Sequence, residues 1–555
     1  MIPPKRFLVP FSLLFVSAPL WKADQLTLFG HGLFIHTDTF VSFGLSLLFA
    51  LLAQSWLPSK VLAGVDHFLK WVNSRMRFLD ILFLTAVFLG LIVINKLILH
   101  SFLSSADEHS CYFLAECLRI KKLWVSTPPL SDFFNVVHVG NRDGKWFSVY
   151  PPGWPLIWAA GLSLRIADYL NPMMATTALV FFFLAAKKVW GDSAARIGIL
   201  IAAFTPFFMF NSASYFSHPT CLLMVSIFLF AYVNYALAKS EEKRLAWALL
   251  AAIAIGYGLM TRYLTMAAIS APFLFYEAGQ RFKLKAWRKS DGLFLLVLGV
   301  FIGLILYQNW AVTGNPFLAP NKYDKSWERL GFRKNYTLLD GSIFILSRFF
   351  YLADWCAPIL IFLFFFALSL KRETNPLQRL FLWGFFYPVI AYFFYYSWGG
   401  GQYGPRYYYE GLLFMGLILG DGIVSWWKVG NIAVKKFMIG AILASLFSNG
   451  YLFYKQSEFF EAVSSQRKSL YELAEKTIEN KAIVFIHGHL GKQLILTQED
   501  AVRNHPLLNT KILYAHDLEA RNMELMALYP EREYYRGSYN GEARRPVLQK
   551  LSKEL

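Results

Sequence analysis

Two adjacent carboxylates, Asp107 and Glu108, stand in the stretch HSFLSSADEHSCYF, directly after a long apolar run. Acids at such a place can take a proton, hold a cation, or accept the backbone N–H groups that open a helix. A capped helix over 108–120, or a solvated loop, explains the pair without chemistry. At the bilayer surface, the same pair would meet the head group of a membrane-bound substrate. Downstream, in DGKWFSVYPPGWPLIWAAG, Pro151 and Pro152 exclude helix at Tyr150 and fix where the next helix starts. Its Trp154 and Trp158, spaced i,i+4, suit a membrane interface or ordinary packing. Further on stand His218, followed by Pro219 at a helix start, Arg262 in LMTRYLT at a helix end, and Arg406 after GGGQYGP. Lys145 and Lys322 occupy the intervening polar loops.

The elements that must position these residues follow from composition. Over 555 residues, 56% are hydrophobic, 18% aromatic and only 16% charged, which excludes a soluble globular protein and points to a many-pass membrane protein. Spanning segments need roughly 20 mostly apolar residues. Thirteen are expected, at about 7–21, 34–57, 78–100, 173–190, 195–212, 219–238, 244–260, 263–279, 291–312, 355–370, 380–397, 406–426 and 435–453. The segment 154–170 is apolar too, but its prolines and the interruptions at Arg165 and Asp168 make it an interfacial helix lying on the bilayer. With that choice the short basic loops, from Lys5 and Arg6 through Lys187 and Lys188 to Lys435 and Lys436, all fall on one face. That face is cytoplasmic by the positive-inside rule, so the net charge of +18 reflects topology rather than nucleic-acid binding. The first segment reads as a retained helix, with a signal peptide as the alternative. Four scattered cysteines make neither a disulfide framework nor a zinc site. Cys111 and Cys117 would pair only if their loop is not helical.

Residues 1–77 then form a two-helix extension, 78–453 a transmembrane catalytic domain, and 454–555 a carboxyl-terminal domain outside the membrane. In the last, 457–479 reads as an amphipathic helix, and KAIVFI and TKILYA as strands of a small α/β domain. The long loops 101–172 and 313–354, the glycine-rich 398–405 and the tail share the face opposite the basic loops.

In order along the chain come an acidic pair after a helix, a loop ending Tyr150-Pro151-Pro152-Gly153, YFSHPTCLLM with His218, NWAVTGNPFLAPNKYD with Gly314-Asn315-Pro316, and GGGQYGPRYYYEG with Gly404-Pro405-Arg406-Tyr407. Over about 78–453 this series resembles the polytopic C-type glycosyltransferases, most nearly the bacterial members related to protein O-mannosyltransferases and to the aminoarabinose transferase of lipid A. Tyr150 is a departure: it stands where the aminoarabinose enzymes carry a lysine.

The resemblance implies transfer of a sugar from a polyprenyl-phosphate carrier to a protein, lipid or envelope glycan, on the outer face of a bacterial cytoplasmic membrane. Such a reaction needs a general base for the acceptor, and Asp107 is the choice, with Glu108 as helper or metal ligand. It needs fixed cations for the leaving phosphate. Arg406, at a helix amino terminus beside glycine amides, is the strongest candidate, followed by Arg262, then Lys322 and Lys145. Tyr150 and His218 complete the expected substrate site. The aromatic stretches YPVIAYFFYYSWGGG and ILSRFFYLADW would line an isoprenoid groove or simply pack. No metal is expected to be obligatory, with Mg²⁺ or Mn²⁺ the option if the donor were a pyrophosphate. The competing readings are an envelope polymerase or ligase with a pyrophosphate-linked donor, and a lipid-linked sugar transporter or flippase. A transporter would show repeated halves and mid-membrane ionisable residues.

Overall fold

A computed structural model describes residues 25–28, 31–34, 37–74, 76–324, 330–333, 336–370, 374–397, 399, 402–487, 502–540 and 545–552. The expected first span, 7–21, lies outside them. A hairpin of β1 (Gln25–Leu28) and β2 (His31–Phe34) precedes α1 (Thr37–Trp56), α2 (Ser59–Ser74) and α3 (Met76–Val93). The loop after α3 holds α4 (Ala106–Arg119) and a sheet of β3 (Val125–Ser126), β4 (Val139–Arg142) and β5 (Lys145–Ser148), in which β5 is central. Helices α5 (Gly153–Leu164), α6 (Ala167–Trp190), α7 (Asp192–Ala203), α8 (Pro206–Ala213), α9 (His218–Leu237), α10 (Glu241–Leu284) and α11 (Lys289–Thr313) follow. After the short α12 (Pro320–Asp324) come α13 (Leu338–Ala353), α14 (Pro358–Leu368), α15 (Pro376–Phe393), α16 (Leu412–Val429) and α17 (Ile432–Thr477).

Eight of the described helices are long and apolar enough to cross a membrane, or nine if α7 and α8, bent by 68° to each other, count as one span. The protein is a multi-pass membrane protein. The difference from thirteen segments arises in part because 7–21 lies outside the described residues and one 44-residue helix holds two expected spans. Helix α14 has only 11 residues, Pro358–Leu368, and much of it is buried inside the bundle, where neighbours rather than length satisfy it. The segment 154–170, expected as an interfacial helix and not among the thirteen, does not form one helix. It divides between α5 and the start of α6 at the left-handed Arg165, and Trp154 and Trp158 are buried in the protein.

The 44-residue α10 contains the two spans expected at 244–260 and 263–279. Its backbone leaves helical geometry at Arg262 (φ −147°, ψ 83°). Both of its ends meet the start of α11: the Ser290 N–H donates to Glu241 (3.2 Å), and Arg281 donates to Asp291 (2.8 Å). A side chain built at Gly258 would meet the Met266 sulfur at 2.6 Å, as two antiparallel limbs require. Helix α10 is thus a helical hairpin with Arg262 at its tip.

Helix α17 is 46 residues long, roughly 69 Å at 1.5 Å per residue, and joins without a break what were expected to be a span at 435–453 and a separate helix at 457–479. Beyond it, β6 (Ala482–Ile486), β7 (Ile512–His516), α18 (Asn522–Leu528), β8 (Glu533–Asn540) and β9 (Arg545–Leu551) form a small α/β domain. Its strand order is β7-β6-β8-β9, with β6 parallel to both neighbours and β9 antiparallel. The expected strands KAIVFI and TKILYA are β6 and β7; all five residues of each are buried, as in a parallel sheet covered on both faces.

This domain shares one hydrophobic core with the loop carrying α4. Phe102, Phe113, Phe133 and Phe134 pack with Leu470, Phe485 and Leu513, and Phe133 meets Phe485 edge-on at 6.2 Å. Polar ties reinforce it: the His516 ring donates to the Asn135 carbonyl (2.6 Å), and Arg467 donates to the Ser104 carbonyl (2.7 Å).

Candidate active site

Helix α4 opens with Ser105 as N-cap, its hydroxyl accepting the Glu108 N–H. The two acids of the opening stretch then diverge. Glu108, 1% exposed, turns inward, where its carboxylate accepts the backbone N–H groups of Ser104 and Tyr215, both at 2.8 Å, and the Ser105 hydroxyl. It ties the start of α4 to the turn ahead of α9, so its expected role as helper or metal ligand gives way to that of an anchor. Burial pushes its carboxyl up to about 7, against the pull of those donors.

Asp107 points the other way, into a cavity of about 220 Å³. Its carboxylate accepts hydrogen bonds from the Tyr150 hydroxyl and from Arg406 (3.2 Å), with the His138 ring 3.9 Å away. Burial raises its pKa, but the charges of Arg406, His138 and Arg262 outweigh that and hold the carboxyl below the usual carboxylate range. Asp107 is therefore an ionised carboxylate at neutral pH. The neighbouring acids do not form a two-carboxylate cation site, and among the described residues no group of three or more His, Cys, Asp or Glu side chains could hold a metal ion.

The Tyr-Pro-Pro-Gly segment reaches the cavity from one side. Tyr150 lines it, and its carbonyl accepts from Gln308 of α11 (3.2 Å). Gly153 opens α5 against the α10 hairpin tip. The Tyr257 hydroxyl donates to its carbonyl (2.8 Å), and a Cβ there would collide with the Thr261 hydroxyl and lie 2.8 Å from the Met260 carbonyl. Trp154 donates to the Tyr215 carbonyl (2.8 Å) and Trp158 stacks on the Tyr215 ring, so both tryptophans fix the turn before α9 rather than a membrane belt.

Opposite lie the hairpin tip and the end of that turn. Arg262 lines the cavity, with Nη1 3.4 Å from the Ser217 hydroxyl and Nε 3.4 Å from Glu410. His218, buried, places Nδ1 3.1 Å from the same Glu410 oxygen. Glu410 itself is 0% exposed. It lies four residues after Arg406 in the quoted GGGQYGPRYYYEG, yet nothing local marks it as the partner of two residues so distant in the chain.

The loop before α16 closes the site. Arg406 does not open a helix as expected: it lies in a 3-10 turn, Arg406–Tyr408, and α16 starts at Leu412. Its cation comes instead from the side chain, which pairs with Asp107 and covers the Phe216 ring at 4.2 Å. Gly404 (φ +89°) sets up that turn in a backbone region only glycine adopts freely, and a Cβ there would meet Phe207 and Trp355 at 2.9 Å. Beneath the loop, the fully buried Arg348 donates to the carbonyls of Tyr392 (3.0 Å) and Ser397 (2.7 Å), while Tyr407 stacks on Tyr392 at 4.2 Å. Of the aromatic stretches, Tyr392 and Tyr395 line the cavity, whereas Trp355 is core.

Two expected cations lie elsewhere. Lys145 donates to the Ala311 and Val312 carbonyls (2.9 and 3.0 Å) at the end of α11, a structural tie. Lys322 is exposed on α12, and its neighbour Asn321 lines the cavity, donating to the Tyr263 hydroxyl (3.2 Å). The structure thus gathers Asp107, Tyr150, His218, Arg262 and Arg406; it adds Asn321 and Tyr407, which lie in stretches already singled out but had been given no role, and His138, for which the sequence carried no distinctive signal.

No protein-family model and no curated protein matches the chain in sequence. Solved structures match in fold. ArnT from Cupriavidus metallidurans bound to undecaprenyl phosphate superposes with a TM-score of 0.53 at 12% identity, over 83% of this chain and 93% of that one. Its apo form gives 0.52 at 11% identity, over 83% and 92%. An Archaeoglobus fulgidus oligosaccharyltransferase tethered to an acceptor peptide gives 0.48 at 12% identity, over 85% and 70%. The fold is that of the polytopic C-type glycosyltransferases.

Proposed function

We propose that this protein transfers a sugar from a polyprenyl phosphate to a hydroxyl or amine of a protein, lipid or envelope glycan, with Asp107 as general base. The observation that carries this reading is a carboxylate on one wall of a cavity whose other walls bring two guanidinium groups, Arg406 and Arg262. The fold likeness to ArnT supports it. We read the end of the bundle that holds the cavity as the outer face of a bacterial cytoplasmic membrane, a reading the basic loops support.

The acceptor loses its proton to Asp107 as its oxygen or nitrogen attacks the anomeric carbon. The bond from that carbon to the phosphate oxygen breaks, and its electron pair leaves on the lipid phosphate. Arg262 and Arg406, both largely buried, face that growing charge as fixed cations held in place before it develops. Tyr150 and Arg406 hold the Asp107 carboxylate in one orientation, so little reorganisation is needed when the acceptor arrives. Two arginines suffice for a monophosphate leaving group, so EDTA leaves transfer unchanged.

The test is transfer from a panel of radiolabelled polyprenyl-phosphate sugars into membranes containing the protein. One donor of the panel should give transfer, and Asp107→Asn should lower it by about 10²–10⁴-fold while the protein still inserts. Unchanged transfer in D107N removes Asp107 as base; no transfer by the parent with any donor removes the reading itself.

A further inference from the structure

The acid that the mechanism leaves unused is Glu410. It is wholly buried behind the cavity wall, and one of its oxygens serves both Arg262 and His218 while the other has no hydrogen-bond partner. A buried carboxylate is costly unless paired, and its partner here is a guanidinium that also faces the cavity. Arg406 has the same arrangement with Asp107. Each cavity cation therefore has its own resident anion before any ligand enters.

We propose that Glu410 is a positioning residue that competes with the lipid phosphate for Arg262, and so sets how readily the product leaves. This rests on the reading of the cavity as a polyprenyl-phosphate site. Transfer turns a phosphodiester of one negative charge into a phosphomonoester carrying up to two, so the product binds two fixed cations more strongly than the donor does. An enzyme with two unopposed arginines would hold its product and turn over slowly. With Glu410 behind it, Arg262 has somewhere to return its charge when the phosphate departs. His218, bonded to the same oxygen, fixes the direction from which the carboxylate approaches.

The sign of the prediction separates this role from a scaffolding one. If Glu410 only held Arg262 in place, its loss would weaken phosphate binding. As a competitor, its loss strengthens it. In purified protein, Glu410→Gln should bind a short-chain polyprenyl phosphate at least about tenfold more tightly than the parent. It should also lower KM for the donor, lower kcat, and increase inhibition by added polyprenyl phosphate. Because E410Q leaves a cation beside a cavity and could fail to fold, Glu410→Asp provides the second measurement. Withdrawn by one methylene, its carboxylate opposes Arg262 less, so E410D binds the phosphate more tightly than the parent and less tightly than E410Q. Equal or weaker binding in whichever variant folds overturns the proposal and leaves the functional reading standing. A parent that binds no polyprenyl phosphate overturns both.

Discussion

At the scale of single residues, the acid pair shows how direction decides chemistry. Asp107 and Glu108 are chemically alike and adjacent, yet one faces two cations across a cavity and the other is spent on two backbone N–H groups. Charge and position named both; only the rotation of α4 told them apart. The Asp107–Arg406 pair also fixes a pH dependence. Because its pKa lies below the usual carboxylate range, its contribution to stability is complete above the ordinary aspartate value and is lost only as pH falls below it. If Asp107 is the base, the acid limb of the kcat/KM profile for transfer should lie correspondingly low. In Arg406→Ala burial acts with less opposition, so that limb should move up. An unmoved limb would show that another group titrates. For Glu108 the readout is stability: Glu108→Ala strips the acceptor from the N–H groups of Ser104 and Tyr215, at about 1–3 kcal/mol for each buried donor left unpaired, which thermal unfolding in detergent would detect.

At the scale of elements, the site is made where helices end. The start of α4, the run before α5, the tip of the α10 hairpin, the start of α9 and the loop before α16 all contribute lining side chains. One stretch of the sequence acquires a mechanical meaning. The Tyr150-Pro151-Pro152-Gly153 run delivers a hydroxyl to Asp107 and then a glycine small enough for α5 to touch the hairpin that carries Arg262. Gly153→Ala should therefore part α5 from the hairpin, at about 1–3 kcal/mol of stability, and reduce transfer more than a surface glycine substitution such as Gly292→Ala, where a Cβ meets nothing. Equal losses in the two variants would show that the contact does not bear on the site. The hairpin itself was legible as two apolar runs meeting at Arg262. The bend between α7 and α8 was not, because a buried helix break needs only local partners and leaves hydropathy unchanged.

At the scale of the whole molecule, the carboxyl-terminal domain is part of the end that carries the cavity rather than an appendage. Helix α17 carries the chain out of the bundle, and the domain's core merges with that of the loop bearing Asp107. Phe485→Ala, which empties a fully buried place opposite Phe133, should cost about 3–5 kcal/mol and expose the 101–152 loop to protease along with the domain. Protection of that loop in F485A would argue that the two fold independently. The sequence by itself determined the solvent, the order of the apolar segments, the small α/β domain and the set of polar residues held at helix ends, because each follows from composition and spacing within a short window. The tertiary structure alone decided which of those residues share a cavity. Arg262 meets Glu410, and Arg406 meets Asp107, across stretches of chain with no local signature. Lys145, Lys322 and Glu108 carry the same charges into ties or solvent. A charged side chain announces its charge in the sequence, but its partner is fixed by which helices pack together, and that depends on the sum of many weak contacts along the whole chain.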